Sequence, residues 1–282
     1  DGRDVPPRRK KGKPPGEPPS NKAELLWLSF NDSDLGGGNF VAQAFFSRTR
    51  DIFGGGSFAT FQDPAIAPLG TLFDQSVNNS RKLGGKLSYQ REIPGLEALV
   101  VTGGLDLLLD RTAQTLLHTG REWVPQTDFR SIAPFVQGNL KLLAGKLRLA
   151  GGARYEDVRL KVDDFATLAF YGADNAGDPA QYQPVAVAGG NPSFPKLLRN
   201  GGVVLETVDG LRAYASYAEG YTIADVGRIL RGITEEGVDV DNFLSLEPVV
   251  SNNREIGVEW RGGALTAGAS YWWSDSDLGT LL

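Results

Sequence analysis

The chain has no cysteine and no methionine, and His118 is the single histidine among its 282 residues. Without thiols it has neither disulfide staples nor a thiolate metal site. No window supplies the roughly 18 uninterrupted apolar residues that a membrane-crossing helix requires. A hydrophobic fraction of 41% and a mean hydropathy of -0.22 therefore fit a soluble chain, or a membrane barrel whose alternating strands average out to polar. No G-x-S-x-G, H-E-x-x-H or P-loop motif is present, so the common hydrolytic and phosphate-cradling chemistries lack their signatures. No cofactor and no nucleic-acid partner is expected.

Glycine is abundant, with 36 residues placed inside strand-like segments as often as in turns. The stretch ALTAGASYWW, 264–273, shows the pattern most clearly. At period 2, Leu265, Ala267, Ala269, Tyr271 and Trp273 share one face, while Thr266, Gly268 and Ser270 share the other. The same alternation predicts strands over 23–31, 39–50, 81–93, 97–110, 129–143, 146–160, 197–208, 210–220, 251–261 and 264–275, with no convincing helical run between them. The Pro-rich and basic segment 1–22 shows no apolar periodicity and is expected to be a loop or a disordered segment.

The connections alternate in length. Short ones lie at Asp32–Gly38, Pro94-Gly95, Ala144-Gly145, Asp209-Gly210 and Gly262-Gly263, and long ones at 51–80, 111–128, 161–196 and 221–250. A compact soluble domain seldom tolerates a long connection at every second position. An up-and-down membrane barrel has this asymmetry by construction.

Facing tests the idea. Leu83, Leu87, Leu147, Leu149, Val258, Leu265 and Ala267 are expected on an outer, convex side, and Lys86, Arg148, Arg154, Glu255 and Glu259 on the concave side. A charge at mid-depth against lipid costs about 2–4 kcal/mol, which sends the charged set to a wet or protein-filled lumen. Aromatics near strand ends are expected to form two girdles, with Tyr89 and Trp260 toward the short turns and Tyr155, Tyr217 and Trp273 toward the long loops. The fold class is thus all-β, an antiparallel up-and-down transmembrane β-barrel of which about ten strands are present.

YASYAEGYTIADVGRIL, 214–230, followed by LEPVVSNNREIGVEW, 246–260, resembles the barrel of a TonB-dependent outer-membrane receptor. LRLAGGARYEDVRLKVDDF, 147–165, resembles that family's "GLRYD" strand, and NFVAQAFFSRTRDIFGG, 39–55, an early barrel strand. The chain departs from the pattern at Ala224, at Pro248-Val249 and at Arg254. VDDF and IADVGRIL come nearest to receptors for hydroxamate or citrate-hydroxamate siderophores. Such receptors need about 22 strands and a plug. Residues 23–282 are therefore expected to be a partial barrel, without the plug domain and the remaining strands.

The resemblance implies the bacterial outer membrane, capture of a ferric siderophore or similar metal chelate by the loops, and energy coupling through a TonB complex acting on the plug. It also implies contact with outer-membrane lipid and lipopolysaccharide. Arginines that neutralise an anionic chelate and aromatics that stack on its organic shell make Arg121, Trp123, Tyr171, Tyr182, Arg228, Arg231 and Phe243 the ligand-binding candidates. Arg148, Arg154, Glu156, Glu255 and Glu259 are the plug-facing lumen candidates. No catalytic residue is assigned. Acidic clusters at 163–165, 239–242 and 275–277 lack EF-hand spacing, so no metal site is assigned either.

Two other classes remain open. A self-contained ten-stranded outer-membrane enzyme would pair His118 with Asp110 or Asp128 at the barrel mouth. A soluble β-rich binding or adhesion module would bury the apolar faces against a second sheet.

Overall fold

The structure is a computed structural model and describes residues 16–54, 56–58, 61–68, 70–168, 184–208, 210–223, 225–243 and 248–276. Ten strands form one antiparallel sheet. They are β1 (Ser20–Asp32), β2 (Asn39–Ile52), β3 (Ser76–Ile93), β4 (Leu96–Leu116), β5 (Glu122–Leu142), β6 (Leu147–Val162), β9 (Ser193–Val208), β10 (Leu211–Thr222), β11 (Val249–Gly262) and β12 (Leu265–Ser276). Each pairs only with its sequence neighbours in the sheet, and β1 and β12 have one neighbour each, so the wall is open at both edges. The two-residue strands β7 (Phe165–Ala166) and β8 (Ala186–Val187) form a small ladder within the β6–β9 connection.

All ten expected strands are present, and several run longer than the alternation indicates. β4 and β5 each reach 21 residues, so the expected loop 111–128 shrinks to the turn 117–121. The added residues include Arg111 and Asp128. Charge on the outward face breaks the apolar alternation there, while the β4–β5 ladder continues with register shifts between Thr112 and Thr115.

Turn chemistry follows expectation. Gly95 and Gly263 adopt φ of 79° and 57° in tight hairpins, a region that L side chains enter only with strain.

Register divides the side chains into two sets. Leu83 pairs with Leu109, Leu87 with Leu105, Leu149 with Leu140 and Val203, Val258 with Ala213 and Ala269, and Leu265 with Gly262. These positions form one continuous apolar face, with Leu83 52% and Leu109 48% exposed. Lys86 pairs with Asp106, and Arg148 with Val204, which in turn pairs with Tyr214. With Arg154, Glu255 and Glu259 they lie on the opposite, polar face, as alternation predicts.

Glycines on the polar face make room for aromatic rings. Phe45 lies directly opposite Gly84, Phe135 opposite Gly104, and Tyr214 opposite Gly257. A Cβ at those glycines would approach the opposing ring to 2.2, 2.4 and 2.4 Å. The rings occupy the space a Cβ would need, which explains why glycine occupies strand interiors that otherwise disfavour it.

At the long-loop end, apolar side chains gather on the polar face. Val158, Leu160 and Val162 of β6 and Phe194 of β9 pack with Val187, Val226, Leu230, Ile233 and Val240. Two short helices supply part of this cluster, α1 (Val226–Leu230) and α2 (Val240–Phe243). Neither was expected from the sequence, because helices of five and four residues are too short to establish a 3.6-residue period.

Candidate functional site

The cluster holds the β10–β11 connection against the wall and positions α1. Asp225 caps that helix, its Oδ1 accepting from the Arg228 backbone N–H at 3.1 Å. This leaves the Arg228 side chain exposed and places Arg231 at the C-terminal end of the helix. The Arg231 guanidinium stacks over the Trp123 ring, 5.0 Å from its centroid. Trp123 meets Phe61 edge-on at 4.9 Å.

Arg228 and Arg231 border a cleft of about 450 Å³, lined also by Asp110, Thr112, Gln114, Phe129 and Asp225 among others. Arg228 forms no ion pair among the described residues. The cleft therefore offers one guanidinium in no ion pair and a second that is stacked, an arrangement suited to an anion with an organic shell.

Arg121 is engaged differently. Its Nη2 donates to the Phe61 carbonyl oxygen at 2.6 Å, and the guanidinium lies 3.7 Å from Asp63 and 3.9 Å from Asp74. Burial pulls its pKa below the usual arginine value, opposed by Asp63 and Asp74. Asp74 is fully buried and accepts from the backbone N–H groups of Gln75, His118 and Thr119 at 2.9, 2.9 and 3.2 Å. Arg121 thus ties the β2–β3 connection to the β4–β5 turn. Trp123 lies within β5 rather than in a loop. Phe243, on α2, is 42% exposed, and no ring contact or ion pair among the described residues joins it to the Trp123–Arg231 pair. Tyr171 and Tyr182 lie outside the described residues.

The lumen candidates form four bonded groups on the polar face. Arg154 bonds both Asp106 and Glu156, and Glu156 also accepts from Ser131 Oγ at 3.3 Å. Arg148 meets Glu206 at 3.3 Å. Glu259 accepts from Arg212 and Arg261, while Glu255 accepts from the Tyr214 hydroxyl at 2.9 Å. Asp106 Oδ1 is buried without a hydrogen-bond partner among the described residues.

The acid–histidine pair that an enzyme would need is not assembled. The His118 ring packs 5.7 Å from Phe73. Asp128 is bound by Arg111, and Asp110 accepts from Ser80 and Thr112. Among the described residues no group of three His, Cys, Asp or Glu side chains is arranged to hold a metal ion.

The family profile described as "TonB dependent receptor-like, beta-barrel" matches residues 9–277. The chain belongs to this family. Among solved structures it resembles the copper transporter OprC, with a TM-score of 0.67 and 16% identity over 90% of this chain and 39% of that one. The ferric yersiniabactin uptake receptor FyuA from Yersinia pestis matches with a TM-score of 0.60 and 13% identity, over 90% of this chain and 35% of that one. The ferric citrate transporter FecA in its unliganded form matches with a TM-score of 0.58 and 14% identity, over 91% and 34%. The chain thus spans about two fifths or less of these structures' length. Its sheet is a section of the bacterial outer-membrane barrel of a TonB-dependent receptor, and the apolar face is the one turned to lipid.

Proposed function

We propose that the chain forms part of the wall of an energy-coupled receptor that takes up an anionic metal chelate, with a ferric siderophore as the first candidate. The observation that carries this reading is the cleft lined by Arg228 and Arg231 at the long-loop end of the polar face, with Arg231 stacked on Trp123 beside it. A guanidinium held in no ion pair draws in a negatively charged complex, and the stacked indole and guanidinium supply flat contact area for its organic shell. In this reading Arg148, Arg154, Glu156, Glu255 and Glu259 face the plug, on which a TonB complex acts.

A bare copper ion is a poorer candidate for this section. Copper favours thiolate, thioether and imidazole ligands, and the chain carries no cysteine, no methionine and one histidine, whose ring lies against Phe73. A metal already wrapped in an organic ligand needs no such donors.

The test is direct binding of a panel of ferric siderophores, ferric citrate and a copper chelate to the natural full-length protein. Arg228→Gln with Arg231→Gln should weaken the bound chelate by roughly tenfold or more, with the barrel still assembled. Undiminished affinity across the panel would assign capture to other parts of the receptor.

A further inference from the structure

Arg231 is held by a ring rather than by a carboxylate. Among the described residues its guanidinium makes no hydrogen bond or ion pair, and what it meets is the Trp123 ring, 5.0 Å from the centroid. The indole N–H of Trp123 makes no hydrogen bond among the described residues either, so packing orients the ring. Phe61 supplies that packing, with the two centroids 4.9 Å apart and the planes at 77°. A near-perpendicular pair of rings at this separation is attractive and fixes their mutual orientation.

Phe61 is itself set in a buried stretch of the β2–β3 connection. Phe61, Gln62 and Asp63 are 6, 2 and 8% exposed. Arg121 donates to the Phe61 carbonyl oxygen at 2.6 Å. The Gln62 side chain donates to the Leu72 carbonyl oxygen and accepts from the Gly70 backbone N–H at 2.8 Å, and Asp63 accepts from the Ala65 backbone N–H at 2.9 Å. On the other side of the indole, α1 lies close against β5. A Cβ at Gly227 would come within 3.0 Å of Cγ1 of Val124, the residue after Trp123. Two connections thus converge on one side chain of β5, and neither Phe61 nor Trp123 lines the cleft.

We propose that Phe61 is a positioning residue for chelate capture. It fixes the Trp123 indole, the indole holds the Arg231 guanidinium at the cleft, and the β2–β3 connection thereby sets the affinity of a site that Phe61 does not touch. The inference rests on the cleft of Arg228 and Arg231 being the capture site. A guanidinium that is already stacked has lost much of its rotamer freedom before a ligand arrives, so less of the binding energy goes into ordering it. Phe61 is too buried to meet the chelate, and its effect on affinity runs through Arg231.

The test uses the natural full-length protein and two readouts. The first needs no ligand and follows modification of arginines by phenylglyoxal, residue by residue, through peptide masses. Phe61→Leu should raise the rate at Arg231 by roughly threefold to tenfold, the factor an aromatic pair carries, and leave that of exposed Arg228 unchanged. An unchanged rate at Arg231 would overturn the proposal, and so would an equal rise at Arg228, which is what a general loosening of α1 produces. The second readout is affinity for the same panel of ferric siderophores. Phe61→Leu should lower it by the same factor in the parent and by nothing further in Arg231→Gln, because residues that act through one another are not additive. Additive losses would overturn the proposal. If Arg231 becomes more reactive while Arg228→Gln with Arg231→Gln leaves every affinity intact, the reading of the cleft fails while Phe61 still sets the position of Arg231. Should Phe61→Leu not assemble, Phe61→Met, nearer to the lost volume, decides on the same readouts.

Discussion

Arg154 on β6 reaches over β5 to bond Asp106 on β4, and bonds Glu156 beside it on its own strand. One guanidinium thus holds two carboxylates together on the polar face and braces three strands. Arg154→Leu leaves those carboxylates facing each other, with Asp106 Oδ1 already lacking a partner among the described residues. The expected loss is roughly 1–3 kcal/mol, because the bonds removed are charge-assisted but partly exposed. Urea unfolding of the vesicle-inserted natural protein measures it, and an unchanged midpoint would show that the bridge adds nothing.

Facing can be tested by one substitution placed on each side. Leu107→Arg puts a charge on the apolar face, at an expected cost of about 2–4 kcal/mol. Ser131→Arg, beside Glu156 on the polar face, should cost less than about 1 kcal/mol. Folding into vesicles compares them, and the reverse order of costs would mean that the face assignment is inverted.

The aromatic–glycine pairs make a steric prediction. At Gly104 a Cβ would come within 2.4 Å of the Phe135 ring and 2.5 Å of the Leu87 carbonyl oxygen. Gly104→Val should destabilise the wall by roughly 1–3 kcal/mol, and Phe135→Leu in the same chain should recover part of that loss. Additive losses in the double variant would show that the ring is not what requires glycine.

Arg121 should behave as a tie between loops. Arg121→Gln leaves Asp63 and buried Asp74 without their cation, and the expected cost is roughly 1–3 kcal/mol. Limited proteolysis should detect faster cleavage in 53–75, while chelate affinity falls far less than with Arg228→Gln and Arg231→Gln. An equal loss of affinity would place Arg121 in the binding site itself.

The ten strands were legible because outward leucines and inward charges alternate cleanly where each strand crosses lipid, as from Leu147 to Tyr155. Beyond the band the outward side chains become Asp157, Arg159 and Lys161, and the signal that marks a strand disappears although the ladder continues. Trp123 and Arg231 were legible as residue types suited to a chelate. Their stacking was not, because α1 brings together positions far apart in sequence. Arg121 was read as a free loop cation because its partners, Phe61, Asp63 and Asp74, lie in another connection.

The most direct test of the account is accumulation of radioiron, supplied as a panel of ferric siderophores, by cells whose only receptor is the natural full-length protein. Uptake of at least one chelate should exceed that of receptor-free cells, cease when the proton gradient is collapsed, and fall strongly with Arg228→Gln and Arg231→Gln. Uptake that persists without the proton gradient, or that matches receptor-free cells for every chelate tried, would contradict it.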